Sequence, residues 1–280
     1  MSSNEIWENL PLGKASTYLT EYTPSLLKAI PRSLSRGMSR NIPTTHLPFD
    51  GIDIWNAYEL SWLNSKGKPE VALGEFFIPC TSPNLIESKS MKLYLNSFNQ
   101  TRFSSRNEAE RTIQEDLSAA VEKPVIVKLA GLDSPQATEI YTSMEGICLD
   151  SLDVNIKRYD HDPLLLKMLD EDQIVTESLY THLFKSNCRI TGQPDWASLY
   201  LHYQGHPLDH SALLQYLISF RDKTEFHEKC VEQIFMDLTQ YCKIDKLTVY
   251  ARYTRRGGID INPFRSNFEK LNHNKRLSRQ

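Results

Sequence analysis

The 280-residue sequence carries five thiols, at Cys80, Cys148, Cys188, Cys230 and Cys242. The number is odd, the spacings are wide and no Cys-x-x-Cys occurs. A zinc knuckle or a thioredoxin-type pair is therefore disfavoured, and free thiols in a reducing compartment are expected. Most free cysteines pack as small hydrophobes. Cys230 and Cys242 fall at i+4 steps with Phe226, Ile234 and Leu238, which assigns both to the apolar stripe of a helix. Cys80 and Cys148 lack a polar partner in the nearby sequence. Cys188 differs: it lies in Ser186-Asn187-Cys188-Arg189-Ile190-Thr191-Gly192-Gln193-Pro194-Asp195-Trp196, off any stripe. Arg189 would favour a thiolate, and a Gly-Gln-Pro turn can fold Asp195 back toward the thiol. A carboxyl with its pKa raised by burial can then act as general acid. The same residues also fit a loop cysteine beside a turn aspartate, and the residues alone leave both readings open.

Three further segments could carry chemistry. Glu87-Ser88-Lys89-Ser90-Met91-Lys92-Leu93-Tyr94 follows a Ser-Pro-Asn turn and opens an apolar-periodic segment. A helix start with Ser and Lys can hold phosphate through free N–H groups and a point charge; ordinary capping explains the same pattern. In Phe226-His227-Glu228 a first-turn carboxylate could accept paired N–H donors from a guanine-like ring edge. A surface histidine and a dipole-favoured glutamate fit equally. Tyr253-Thr254-Arg255-Arg256-Gly257-Gly258 ends a strand with two arginines and two glycines, which fits a phosphate clamp or an exposed basic turn.

These segments need elements to position them. Helices are expected over 105–120, with Ser104 or Ser105 as cap and Ala109, Ile113 and Leu117 on one face, and over 224–242, with Thr224 as cap. Strands follow at Val125–Leu129 and Leu247–Ala251. Leu179 to Phe184 reads as an apolar helical run ending near Cys188. His206-Pro207-Leu208-Asp209-His210 reads as a surface loop. Tyr94-Leu-Asn-Ser-Phe98 recurs as Tyr216-Leu-Ile-Ser-Phe220, each followed by a helical pattern ending in Asp-Leu, at Asp116-Leu117 and Asp237-Leu238. Alternating runs, Glu59–Leu63 and Leu199–Tyr203, each precede a Gly-x-Pro turn. The pattern suggests an internally duplicated α+β protein, its halves joined by the charged stretch 150–175.

Composition bounds the rest. The chain is 40% hydrophobic and 24% charged, with a formal net charge of −3, so nothing pulls it globally toward nucleic acid or acidic membrane. No apolar run reaches the roughly 18 residues a membrane span needs, and the opening residues do not read as a secretory signal. Dinucleotide-binding, P-loop, nucleophile-elbow and zincin motifs are absent.

Taken together, the four segments resemble the NADPH-dependent 7-cyano-7-deazaguanine reductases, the nitrile reductases of queuosine biosynthesis. That resemblance rests on Glu-Ser-Lys-Ser-x-Lys-Leu-Tyr at 87–94, Cys-x-x-Thr-Gly-Gln-Pro-Asp at 188–195, Phe-His-Glu at 226–228 and Arg-Gly-Gly at 256–258. Their order matches the longer, two-module branch, with modules expected over 1–150 and 151–280.

The resemblance implies tandem tunnelling-fold modules, antiparallel sheets with helices on one face that assemble into barrels. It implies Cys188 as nucleophile, Asp195 as acid and His227 as an aid to substrate positioning and proton movement. Substrate contacts are implied for Ile86, Glu87, Ser88, His227 and Glu228, and NADPH contacts for Ser88, Lys89, Arg256 and Gly257, with no metal. A cytoplasmic homodimer acting on the free base, with no need for nucleic acid or membrane, is expected. A cyclohydrolase-like hydrolase would use His and Cys metal ligands, against which the sparse histidines speak. A non-catalytic purine-binding protein would keep Glu87 and Glu228 but would not need Cys188 with Asp195.

Overall fold

The computed structural model describes residues 18–37, 42–43, 46–134, 140–141, 144–170, 172–271, 273–274 and 276–280. Most of the opening segment, and Lys275 of the basic tail, lie outside them. The described residues fall into two compact units, the first made of those that lie within Met1–Met38, Ile52–Glu139 and Arg255–Ile261, the second of those within Ser39–Gly51, Ile140–Thr254 and Asn262–Gln280.

The first unit contains β1 (Ala29–Pro31), α1 (Arg32–Gly37), β2 (Asp50–Leu63), β3 (Pro69–Pro79), β4 (Asn84–Ile86), α2 (Ser88–Asn96), α3 (Arg106–Val121) and β5 (Ile126–Ala130). Strands β5, β3 and β2 form antiparallel neighbours. Side chains alternate across a strand, so Trp55, Ala57, Leu60 and Trp62 of β2 point into the core with Ala72, Phe76 and Ile78 of β3. The α3 stripe of Ala109, Ile113, Leu117 and Val121 closes over them, fully buried. Ser105 caps this helix by accepting from the Glu108 N–H, as the sequence predicts.

The second unit contains β6 (Ile140–Tyr141), β7 (Ile147–Cys148), β8 (Val175–Asn187), β9 (Pro194–Gly205), α4 (His210–Ile218), α5 (His227–Tyr241), β10 (Lys246–Tyr253), β11 (Ile259–Ser266) and β12 (Arg276–Leu277). The residues of β11 divide between the units at Ile261 and Asn262. The strand order is β7-β8-β9-β10-β11, antiparallel except for β7 beside β8. Cys230, Ile234, Leu238 and Cys242 are all fully buried, as their i+4 spacing predicts.

The duplication is real and runs deeper than the sequence match. The β2–β3 hairpin shifts register between Ala57 and Leu60, and β8–β9 shifts at the matching place, between Thr181 and Phe184. Each unit is therefore α+β, an antiparallel sheet with helices, as expected.

Four local expectations are corrected. Leu179 to Phe184 is strand, not helix: burial in β8 alternates, with Leu179 and Thr181 in and Tyr180 and His182 half-out. The two Gly-x-Pro turns are not equivalent either. Gly67-Lys68-Pro69 closes the β2–β3 hairpin, whereas Gly205-His206-Pro207 leads from β9 to α4, so β9 matches β3 and not β2. Alternation and turn residues mark where a strand ends, but they do not say whether a strand or a helix comes next. Thr224 does not cap α5; Phe226 stands at the cap without a side-chain hydrogen bond, and the helix starts at His227. The segment around His206 is a loop up to Asp209, which caps α4 by accepting from the Ser211 and Ala212 N–H groups; His210 belongs to the helix. Among its described residues the 150–175 stretch is irregular apart from one short turn of helix at Pro163–Leu165, an isolated bridge from Met168 to Leu208, and Val175, where β8 begins.

Candidate active site

Cys188 stands at the turn between β8 and β9. Its N–H donates to the Gln193 carbonyl at 2.8 Å, and its own carbonyl accepts from the Gly192 N–H at 2.9 Å. Gly192 sits at φ +67°, where a Cβ would be strained. The register then decides the chemistry. Ser186 pairs with Asp195 and Asn187 with Pro194. Directly opposed residues share a sheet face, as do residues two apart, so Cys188 and Asp195 are diagonal neighbours on one face. The step from Cys188 to Asp195 in the sequence is the length of this turn.

Helix α5 begins on that face. Its first residue, His227, places Nε2 3.2 Å from Asp195 Oδ2. The His227 ring lies flat on the Tyr253 ring, with centroids 3.7 Å apart and planes within 4°. Nδ1 of His227 is buried without a hydrogen-bond partner among the described residues. Cys188, Asp195 and Glu228 are 6%, 4% and 5% exposed. Burial above all, then the nearby acidic groups Cys230 and Asp195, pushes the Tyr253 phenol well above its ordinary value. A buried grouping of a thiol, a carboxyl and an imidazole is suited to nucleophilic addition with proton transfer.

A second set of contacts holds the α5 start against the end of β8. Asn187 N–H donates to the Lys223 carbonyl at 2.8 Å, and Glu225 N–H donates to the Asn187 carbonyl at 2.9 Å. The Glu225 carboxylate pairs with Arg189 at 3.1 Å and with buried Lys229 at 2.9 Å. Arg189, expected to favour a thiolate, thus shares its charge with Glu225.

The remaining candidates lie in the first unit. Ile86 ends β4, and Glu87 is the cap of α2: Oε1 accepts from the Lys89 N–H at 2.8 Å and Oε2 from the Ser90 N–H at 2.7 Å. The cap is the acid itself, not Ser88, and these two N–H groups are already taken. Glu87 is 1% exposed. Burial raises its pKa, opposed by those two hydrogen bonds and by the Lys92 and Lys89 charges. Each carboxylate oxygen keeps a lone pair for another donor.

The glycine turn after β10 comes back to this helix. Gly257 has φ +57°, and a Cβ there would lie 3.3 Å from the Lys92 side chain. Gly258 has φ +75°, and its Cβ would fall 2.5 Å from Glu59 Cδ. So the Arg256–Gly257 turn, remote in sequence, comes to Lys92 of α2, the helix that also carries Ser88 and Lys89. Several cations beside a turn without side chains fit the phosphates of a dinucleotide such as NADPH.

Sequence reasoning assigned no role to Tyr253, Glu225 or Lys92. Tyr253 and Lys92 stood inside segments already singled out, and a flanking-residue search of each segment would have reached them. Glu225 flanks Phe226-His227-Glu228 and stands i,i+4 from Lys229, a spacing legible in the sequence, but its pair with Arg189 exists only once the end of β8 meets the start of α5.

Comparison with known proteins places the chain. A family model described as nitrile reductase, 7-cyano-7-deazaguanine-reductase N-term, matches residues 18–129, and one described as QueF-like protein matches residues 194–272. The NADPH-dependent 7-cyano-7-deazaguanine reductase of Colwellia psychrerythraea is 53% identical over 261 residues, covering 92% of this chain and 91% of that protein. The protein of the same name from Dechloromonas aromatica is 55% identical over 256 residues, covering 91% and 89%. Among solved structures, the apo crystal structure of the archaeosine synthase QueF-Like aligns at 14% identity and a TM-score of 0.30, over 35% of this chain and 96% of that one.

Proposed function

Because the chain belongs to the NADPH-dependent 7-cyano-7-deazaguanine reductases, we propose that Cys188 is the nucleophile that makes the nitrile reducible. The reaction converts the nitrile of 7-cyano-7-deazaguanine to the aminomethyl group, a step of queuosine biosynthesis. The observation that carries the residue assignment is the Asp195–His227 contact at 3.2 Å, on the sheet face that also presents Cys188.

A nitrile carbon is a poor hydride acceptor. Cys188 adds its sulfur to that carbon; one C–N π bond breaks and the nitrogen takes a proton, giving a thioimide. Asp195 supplies the proton, and His227 holds the Asp195 carboxyl in place and moves protons to and from it. NADPH, when bound, supplies two electrons as hydride per molecule, so the four-electron change from nitrile to amine consumes two. Sulfur leaves after the first reduction and frees Cys188.

Glu87 and Glu228 accept N–H donors of the deazaguanine ring, and backbone atoms of Ile86 and Ser88 contact it. Ser88, Lys89, Arg256 and Gly257, joined by Lys92, hold cofactor phosphates. On this reading the modules over 1–150 and 151–280 divide the labour, the first carrying the Glu87 helix and the second the thiol.

No helix among the described residues is long and apolar enough to cross a membrane, and none of the five cysteines is in a disulfide. Both features support a cytoplasmic enzyme. Tunnelling-fold modules close barrels by pairing subunits, which supports a homodimer, and a free-base substrate leaves nucleic acid unnecessary.

Intact-mass measurement with the nitrile and without NADPH tests the reading. Wild type should gain the mass of one ligand, and Cys188→Ala should gain none while still binding the nitrile in equilibrium dialysis. An adduct on Cys188→Ala would remove Cys188 from the mechanism.

A further inference from the structure

We propose that Tyr253 is a positioning residue whose ring fixes the plane of His227, so that Nε2 meets Asp195. The inference rests on the assignment of His227 given above and deepens it.

The terminal torsion of a histidine is broad and roughly two-fold, so an imidazole at a helix start needs an external surface to set its plane. The α5 cap does not supply one, since Phe226 makes no side-chain capping bond. Tyr253 does. It is fully buried, and its ring is parallel to the imidazole at 3.7 Å. Tyr253 is itself fixed from several directions. Its N–H donates to Asn262 Oδ1 at 3.0 Å, and its carbonyl accepts from Gln280 Nε2 at 3.0 Å. Phe184 meets its ring edge-on at 6.3 Å. A rigid platform under one face of the imidazole leaves only in-plane placement free, and Asp195 settles that.

The duplicated fold provides an internal control. The buried stripe Ala109, Ile113, Leu117, Val121 of α3 matches Cys230, Ile234, Leu238, Cys242 of α5, so Arg106 occupies the position of His227. Opposite the register shifts, Gly74 and Ala72 match Leu199 and Ala197. Leu73 pairs with Ala130 and Ser198 with Arg252, so Gly131, the next residue, occupies the position of Tyr253. A Cβ on Gly131 would lie 3.4 Å from the Arg106 guanidinium. These two positions therefore face each other in both units. The first unit fills them with arginine over glycine. Only the unit that holds the thiol, the carboxyl and the imidazole places an aromatic face there.

The test compares Tyr253→Phe, which keeps the face and removes the hydroxyl, with Tyr253→Leu, which removes the face. His227→Ala is measured alongside. Tyr253→Phe should retain kcat within about twofold, and Tyr253→Leu should lose roughly tenfold in kcat with little change in KM for the nitrile, because an aromatic contact of this kind carries about a factor of ten. Equal losses in the two variants would overturn the proposal, since the ring face would then not be what matters. An impaired His227→Ala beside an unimpaired Tyr253→Leu would overturn it alone. A fully active His227→Ala would instead overturn the role of His227 itself, and the proposal with it. Tyr253 is buried, so Tyr253→Leu is checked by thermal unfolding. Should it not fold, the imidazole proton resonances of His227 decide: they should be shifted upfield by the ring current in wild type and in Tyr253→Phe, and an unshifted signal in either would refute the stack.

Discussion

The Tyr216 hydroxyl donates to Asp237 Oδ2 at 2.6 Å, and at the matching place in the first unit the Tyr94 hydroxyl donates to Asp116 Oδ2, also at 2.6 Å. The repeat visible in the sequence is thus a repeated hydrogen bond that ties α4 to α5 and α2 to α3, buried in the second unit and half-buried in the first. Asp237 also takes His161 Nε2 at 2.7 Å and Gln233 Nε2 at 2.7 Å and is fully buried. Removing it strands three donors. Asp237→Ala should cost about 3 kcal/mol or more in urea unfolding, and Tyr216→Phe about 1–2 kcal/mol. A loss under about 1 kcal/mol for Asp237→Ala would mean that the cluster is solvated.

Asp195→Asn keeps the shape of the side chain and removes the acid. Single-turnover adduct formation should slow by about 10²–10⁴-fold, the range of general acid catalysis, with nitrile binding kept within an order of magnitude. An unchanged adduct rate would take Asp195 out of the proton-donor role.

Glu87 is an acid whose folded-state pKa is raised by burial. Its folded form binds a proton more readily than its unfolded form. Stability therefore falls as pH rises from the ordinary glutamate value, about 4.3, through the raised one. Glu87→Gln carries no such charge. Its unfolding free energy should gain on wild type as pH rises across that window, read from urea curves between about pH 4 and 8. A constant gap would show that the two N–H bonds cancel the burial. Glu87→Ala should weaken nitrile binding by about 10–100-fold, the worth of a hydrogen bond to a charged group.

Burial pushes the Cys230 thiol up to about 12 and the Cys242 thiol up to about 11. Neither should be alkylated by iodoacetamide in the native protein at pH 8, whereas both should react once the chain is unfolded; peptide mapping distinguishes the two. These raised values mean that stability falls as pH climbs above the ordinary thiol range, about 8.5. Fast native labelling of Cys230 would contradict its place in the core.

Much of this protein was legible in its residues. Helical periodicity found the stripes of α3 and α5, because a 3.6-residue period survives without knowing the partner surface. It also retired Cys230 and Cys242 as chemistry. Literal motif spacing picked out the four segments on which the family resemblance rests. Local signals failed where two elements had to meet. Leu179 to Phe184 read as helix because a short apolar run has no period of its own, and only pairing with β9 makes it a strand.

By itself the sequence determined the duplication, the family and the chemistry-bearing residue types. The tertiary structure decided what touches what. It gave Glu87, not a serine, the α2 cap, brought Gly257 to Lys92, and laid His227 flat on Tyr253 above Asp195. These contacts depend on strand register, in which a one-residue slip turns every side chain to the other face. Register is set by the whole sheet, so no segment read alone contains it.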